Sequence, residues 1–353
     1  MAKLKIAVLY GGKSAEHDVS VHSAAAVSDI LAKKYDIINI FISKAGLWFL
    51  QDAPREFAPG DKPITPVIAA DANLQQEGGQ KIKIDVFFPV LHGAMGEDGT
   101  MQGLFEVLNA PYVGCGVLTS AMAMDKEISK LLASFHGVPI APYIKLSADD
   151  KYQDEELEAA VQKLGYPLFV KPLSLGSSIG VSKVKDIKHL KGALAKAFDY
   201  EDTVLIEKGI DNAREIFCAI VGYGRNIHTS LCGELVSVNS EFFDYKAKYE
   251  DPNGCDMKVP ADIPPGMQDK MRVAAHDIFK ALRGNGMARA DFLLGSDGKF
   301  YFSEINAIPG LSATSLFPNL WSASSKTYEG ILDILIHLAL RRKQARDSSS
   351  LER

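Results

Sequence analysis

Apolar residues fill Leu4–Tyr10 almost without a break, as in a strand covered on both faces, and the run stops at Gly11-Gly12. A helical stretch follows through Val27–Leu31, and further strands are predicted at Asp36–Ile42 and Ile82–Val90. Strand, glycine turn, helix, strand is the grammar of an open parallel α/β sheet, which binds ligands at the carboxyl ends of its strands. Glu16 and His92 fall at those ends. The segment Asp52–Gly79 holds Pro54, Pro59, Pro63 and Pro66 and reads as a long, partly irregular insertion.

A second unit begins near Val117. Asp125 is placed to cap a helix whose apolar residues Ile128, Leu131, Leu132 and Phe135 recur at helical spacing, so that stripe is expected to face the core. Another helix is expected over Asp154–Leu164, with Leu157, Val161 and Leu164 on one side. Then comes YPLFVKPLSLGSSIGVSKV: a strand, Lys171 at its end, a Gly/Ser loop and a second strand. Backbone N–H groups and hydroxyls in such a loop can wrap a phosphate, and a lysine beside it is a point charge suited to one. The loop is not a GxxxxGK[ST] P-loop. Short strands are predicted at Thr203–Glu207 and Glu215–Val221; Glu207 could accept from an adenine amino group, with Ile210 covering the ring. The long polar segment Phe242–Pro265 has the length and composition of a lid. A helix over Met267–Leu282 and a last one over Tyr328–Leu340 complete the pattern around Met287–Ser315.

In that stretch two strand-like runs, Arg289–Leu294 and Lys299–Ile305, flank Asp297-Gly298, which predicts a two-residue type I′ turn. Counting outward sets Asp291 opposite Glu304 and Arg289 opposite Asn306, all on one face. Two carboxylates opposed at about 4.5–5.5 Å repel. A divalent cation between them reverses that, and an all-oxygen donor set suits Mg²⁺. The alternative is a solvated hairpin face, and the packed setting of Phe292, Leu294, Tyr301 and Pro309-Gly310 weighs against it.

Composition narrows the partners. A net charge of −5 without a basic run argues against nucleic acid. The four scattered cysteines, Cys115, Cys218, Cys232 and Cys255, argue against a zinc site or disulfide framework and for a reducing compartment. The first apolar run is too short for a signal peptide or membrane helix, so a cytoplasmic protein with no membrane partner is expected. GGKSAE is not the GxGxxG fingerprint, which disfavours a nicotinamide oxidoreductase.

Eight stretches together resemble the D-alanine–D-alanine ligases of the ATP-grasp superfamily: GGKSAEHDVS, LHGAMGEDGTMQG, MDKEISK, FVKPLSLGSSIGVSKV, VLIEKGI, FDYKAKY, ARADFLL and EINAIPGLSATS. They span Gly11 to Ser315. The resemblance implies a three-domain α/β ATP-grasp architecture: an N-terminal substrate domain with an open parallel sheet over 1–116, a central subdomain over 117–208, and a C-terminal metal-binding domain over 209–342. Residues 343–353 are expected as a flexible tail. It implies that Lys126, Lys171 and Lys248, with Ser177 and Ser178, hold ATP phosphates, and that Glu207, Ile210 and Glu215 contact adenine and ribose. Asp291, Glu304 and Asn306 would bind two Mg²⁺, with Mn²⁺ as substitute. Glu16 would take the ammonium of the first D-alanine and join Ser177 and Tyr249 in a group that orders the lid. Arg289 would stabilise an oxyanion. His92 would lie near the first substrate's carboxylate and Ser315 near the second's. A homodimer is implied, and ligation of two D-alanine molecules through an acyl phosphate is the expected activity. Two readings stand beside it: an ATP-grasp ligase for another carboxylate and amine, and a nucleotide-binding module without catalysis. Tyr249 in DYKAKY favours a dipeptide product over D-alanyl-D-lactate.

Overall fold

The computed structural model describes residues 3–68, 73–150, 154–237 and 255–348. Three sheets organise them. The first runs in the order β6-β5-β4-β3-β2-β1-β7, from β1 (Lys5–Gly11), β2 (Asp36–Ile42), β3 (Trp48–Gln51), β4 (Lys62–Val67), β5 (Asn73–Gln76), β6 (Lys81–Lys83) and β7 (Val86–Pro89). Only β2, β1 and β7 are parallel, and the pairs from β2 to β6 are antiparallel. The expected parallel sheet is therefore one end of a mixed one. The proline-bearing insertion supplies much of the rest: β4 and β5 lie within it and pair as a hairpin. The single strand expected over Ile82–Val90 is two, because at Asp85 the carboxylate and backbone N–H turn to the main chain of Lys5.

The second sheet, order β10-β9-β11-β8, is antiparallel and comprises β8 (Tyr143–Ser147), β9 (Leu168–Pro172), β10 (Ser182–Val184) and β11 (Thr203–Lys208). Against it pack α5 (Asp154–Leu164) and α6 (Leu190–Phe198), with Leu157, Val161, Leu194 and Ala197 buried. The third, order β14-β13-β12-β15-β16, holds β12 (Arg214–Tyr223), β13 (Asn226–Ser237), β14 (Cys255–Lys258), β15 (Gly286–Leu294) and β16 (Phe300–Asn306). The helix expected near Met267 is α7 (Pro265–Ala281), with Met271, Ala275 and Ile278 buried as its period requires. The reading of the sequence leaves out β13.

Two features tie the sheets together. The helices α1 (His17–Leu31), α8 (Leu316–Ala323) and α9 (Tyr328–Asp347) share one core with β1, so Val8, Tyr10 and Val27 pack in the same cluster as Phe317, Trp321 and Leu335. At about 1.5–3 kcal/mol for each fully buried large apolar side chain, this core outweighs the exposed Lys34–Asp333 pair beside it. The helix α9 continues through Asp347, so the expected tail is helical over most of its described length; the guanidinium of Arg342 stacks 3.9 Å from the Tyr112 ring and donates to the carbonyls of Tyr112 and Gly114. The second feature concerns α3 (Val117–Met124), which follows the short α2 (Thr100–Val107), and α4 (Lys126–Phe135). Their buried residues Ala123 and Ala133 belong to the core of the third sheet, not of the second.

Of the apolar stripe expected to face inward on α4, Leu132 packs against the core and the other three residues face out. Lys126, Ser129, Lys130 and Ala133 are buried, while Phe135 is 85% exposed and Ile128 and Leu131 are also in solvent. Asp125 does cap the helix, its carboxylate accepting from Ile128 N at 2.8 Å. The polar face points inward because that is where the site lies.

Candidate active site

The site is assembled from the ends of several elements. Glu16 precedes α1 and is 9% exposed. Ser177, in the Gly/Ser loop between β9 and β10, donates its hydroxyl to Glu16 Oε1, closing that loop onto the first sheet. Ser177 and Ser178 both have positive φ, +53° and +58°, so the loop turns through the left-handed region at two successive serines. Gly93 must stay small: a Cβ there would lie 2.5 Å from Ser14 Oγ and 2.7 Å from Glu16 Oε2.

Lys126, at the start of α4, donates from Nζ to the Leu175 carbonyl at 2.6 Å and sits 3.4 Å from Glu304 Oε2. It thus joins the Gly/Ser loop to β16. Lys130, one turn on, is fully buried, with Nζ 2.5 Å from Glu207 Oε1 and 3.3 Å from the Phe302 carbonyl. Lys171 pairs with the other oxygen of Glu207. Burial alone would raise the Glu207 pKa, but the two lysine charges prevail and hold it below the ordinary glutamate value. Burial drives the Lys130 pKa down, helped by the Lys171 charge. The lysine Lys130 was not picked out from the sequence; its place four residues after Lys126, on the same helix face, is the signal that could have found it.

The hairpin brings its polar groups together as expected, by an unexpected route. Its loop has three residues, Ser296–Gly298, closed by Gly295 N–H to the Lys299 carbonyl at 2.8 Å, and within it only Gly298 has positive φ. That sets Phe292 opposite Phe302, one residue off the predicted register. A bulge between Asp291 and Phe292 then restores it, giving Asp291 opposite Glu304 and Arg289 opposite Asn306. The carboxylate charges are met by side chains. Arg289 forms a bidentate pair with Asp291, both bonds 2.7 Å, and its guanidinium lies 5.2 Å from the Phe217 ring. Asn306 Oδ1 accepts from Ile308 N. Pairing of Arg214–Tyr223 with β15 sets Glu215 opposite Leu293 and Phe217 opposite Asp291, so Glu215 shares the face of Asp291 and Arg289. Ile210 approaches the same hairpin, where a Cβ on Gly295 would meet its Cγ2 at 3.0 Å.

His92 is buried and donates from Nδ1 to the Ile308 carbonyl at 3.0 Å, while Nε2 has no partner among the described residues. Glu97, also buried and not foreseen, lies 3.5 Å from the ring. Burial works to lower the His92 pKa; the hydrogen bond and charge of Glu97 and the charge of Glu16 overcome it, and the value is raised. Burial, with Glu16 adding to it, pushes Glu97 from 4.5 up to about 7. Glu97 therefore holds its proton more tightly folded than unfolded. Its share of the stability is full below pH 4.5 and is lost as pH rises through about 7, and raised His92 acts in the same direction. Glu97→Gln should flatten that decline in the urea midpoint across the window; an unchanged decline would place the titration elsewhere.

Ser315 precedes α8, its Oγ 2.7 Å from Ser312 Oγ, beside the free N–H groups of a helix start, which favour a carboxylate. Lys248 and Tyr249 lie outside the described residues.

Two family models cover most of the chain: D-ala D-ala ligase N-terminus over residues 5–115 and D-ala D-ala ligase C-terminus over residues 132–337. The chain belongs to the D-alanine–D-alanine ligase family. Family members share its full length. D-alanine–D-alanine ligase A of Salmonella typhimurium is 40% identical, with 99% of each chain covered, and the ligase of Thermoanaerobacter sp. strain X514 is 42% identical over 96% of this chain and 97% of its own. The solved D-alanine–D-alanine ligase of Coxiella burnetii superposes with a TM-score of 0.86 at 34% identity, covering 98% of this chain and 97% of that one. The VanG D-Ala:D-Ser ligase of Enterococcus faecalis gives 0.82 at 33%, covering 96% and 99%. Within this family the fold is ATP-grasp.

Proposed function

We propose that this chain is a cytoplasmic ligase that joins two D-alanine molecules, with ATP, into D-alanyl-D-alanine for peptidoglycan precursors. ATP use comes with the family. The observation that carries the site is one continuous set of contacts: Glu16 to Ser177, the Ser177 loop to Lys126 through Leu175, and Lys126 to Glu304. It links the first sheet to the metal-type hairpin through a phosphate-type loop.

In this reading Glu16 receives the ammonium of the first D-alanine, and the unpartnered Nε2 of His92, with Nδ1 pledged to Ile308, faces its carboxylate. Lys126 and Lys171 hold phosphate oxygens, which requires Lys171 to leave Glu207; Lys130 then stays as that carboxylate's partner. Lys248, Ser177 and Ser178 complete the phosphate contacts, and Glu207, Ile210 and Glu215 contact adenine and ribose. Asp291, Glu304 and Asn306 offer oxygen donors on one face and fit Mg²⁺. Bound there, Mg²⁺ would neutralise charge on the transferring phosphoryl group. The carboxylate of one D-alanine takes the γ-phosphoryl group, and the amine of the second attacks the resulting acyl phosphate, releasing phosphate. Arg289 stabilises the oxyanion, Ser315 and the start of α8 hold the second carboxylate, and Tyr249 belongs to the lid that keeps water out. A homodimer is part of the proposal and is decided by sedimentation.

Phosphate release from ATP and Mg²⁺ should respond to D-alanine and not L-alanine, with the dipeptide seen by mass. A response only when D-lactate or D-serine accompanies D-alanine would overturn the acceptor assignment. Ser177→Gly, which the positive φ tolerates, removes the hydroxyl that donates to Glu16; kcat/KM should fall by at least roughly tenfold, the worth of one hydrogen bond to a charged group. An unchanged kcat/KM would separate that contact from catalysis.

A further inference from the structure

Beside Glu16 lies a group of donors that ligation does not use. His17, the first residue of α1, is 1% exposed. Its Nδ1 is 2.7 Å from the Gly12 carbonyl oxygen, which can only accept, so Nδ1 carries a hydrogen. Its Nε2 is 3.2 Å and 3.3 Å from the two oxygens of Glu56. A neutral imidazole held this way turns a lone pair onto a carboxylate, an arrangement that needs a positive charge between the two. Asp18 completes the set, and the ligand atoms of His17, Asp18 and Glu56 all lie within 4.8 Å of one another. His22, one turn after Asp18, lines the same open groove with Asp18, Pro54 and Glu56.

We propose that His17, Asp18 and Glu56 form a second cation site, separate from the hairpin, for a divalent transition ion with Zn²⁺ the best match. Imidazole nitrogen and carboxylate oxygen are both Zn²⁺ ligands, three protein ligands leave a fourth position open to water, and a ligating histidine characteristically donates its other N–H to a carbonyl or carboxylate. Tetrahedral ligands about 2.0–2.2 Å from Zn²⁺ are about 3.4 Å apart, so the exposed carboxylates of Asp18 and Glu56 need only a small closure onto the fixed imidazole. The competing cation is Lys44, whose Nζ is 3.4 Å from Asp18 Oδ1; both side chains are exposed and the pair is weak. Arg55 is occupied by Asp61. The ion would pin the Pro54–Glu56 loop to the start of the helix that follows Glu16.

Calorimetric titration of the untagged protein with Zn²⁺, in saturating Mg²⁺ to fill the hairpin site, tests this without any activity assay. One Zn²⁺ per chain is expected, with a matching shift of a histidine Cε1–H resonance and a higher Tm. Glu56→Gln and Asp18→Asn should each weaken binding by at least about tenfold and remove the Tm gain. Absence of binding, or binding undisturbed in both variants, would overturn the site.

Discussion

Glu304→Ala should lose phosphoryl transfer by more than about a hundredfold while the protein stays folded. The motive is electrostatic. The register sets Glu304 directly opposite Asp291, and two such carboxylates persist side by side only if cations attend them. In the structure those cations are Arg289 on Asp291 and Lys126 at 3.4 Å from Glu304. Both are groups proposed to act on the substrates, Lys126 on the ATP phosphates and Arg289 on the oxyanion, and as they turned to those tasks the carboxylate pair would be left to Mg²⁺. Even residues that merely support a metal ligand are worth about 10–100-fold, so loss of a ligand itself costs more. The fold should not suffer: the Glu304 side chain is 34% exposed and its ion pair is worth less than about 1 kcal/mol. Phosphate release across a Mg²⁺ series, beside a urea unfolding curve, reads both quantities. Glu304→Gln keeps one oxygen donor and should recover part of the rate at high Mg²⁺. A fully active, Mg²⁺-dependent Glu304→Ala would sink the assignment.

The pairing on which this rests was legible in the sequence for a partly wrong reason. Asp297-Gly298 suggested a two-residue turn; the loop has three residues, and the bulge beside Asp291 cancels the slip before it reaches the site. A bulge leaves no mark in a pattern of period two, and the extra residue, Ser303, is an ordinary strand residue. The antiparallel end of the first sheet was hidden for a related reason. Pro63 and Pro66 argue against a central strand, yet β4 meets β3 through only two residue pairs, and proline is tolerated where few ladder bonds are made. The strands Lys5–Gly11 and Asp36–Ile42, the Asp125 cap and α7 were readable because each is set by local pattern.

The helix α4 is where pattern misled most, and Lys130→Met is the test of why. Periodicity assumes that apolar stripes face inward. Here Ile128, Leu131 and Phe135 face out because the inward face must carry Lys126 and Lys130 to the site. Lys130 is 0% exposed and balances a carboxylate that is itself 4% exposed. Removing one partner of a buried pair costs about 3–5 kcal/mol, because the other is left without compensation. Lys130→Met should therefore lower the unfolding free energy by about that amount although methionine fills the same space. It should also raise KM for ATP more than it changes kcat, since Lys171 would then be the sole partner of Glu207 and less free to reach a phosphate. Pairing it with Glu207→Met separates the two effects: an apolar pair in the same volume should recover most of the stability. The recovered double variant should still bind ATP weakly, because its adenine contact is gone. A single variant that loses less than about 1 kcal/mol would show that Lys171 alone compensates Glu207, and that the outward turn of these three residues of α4 has another cause.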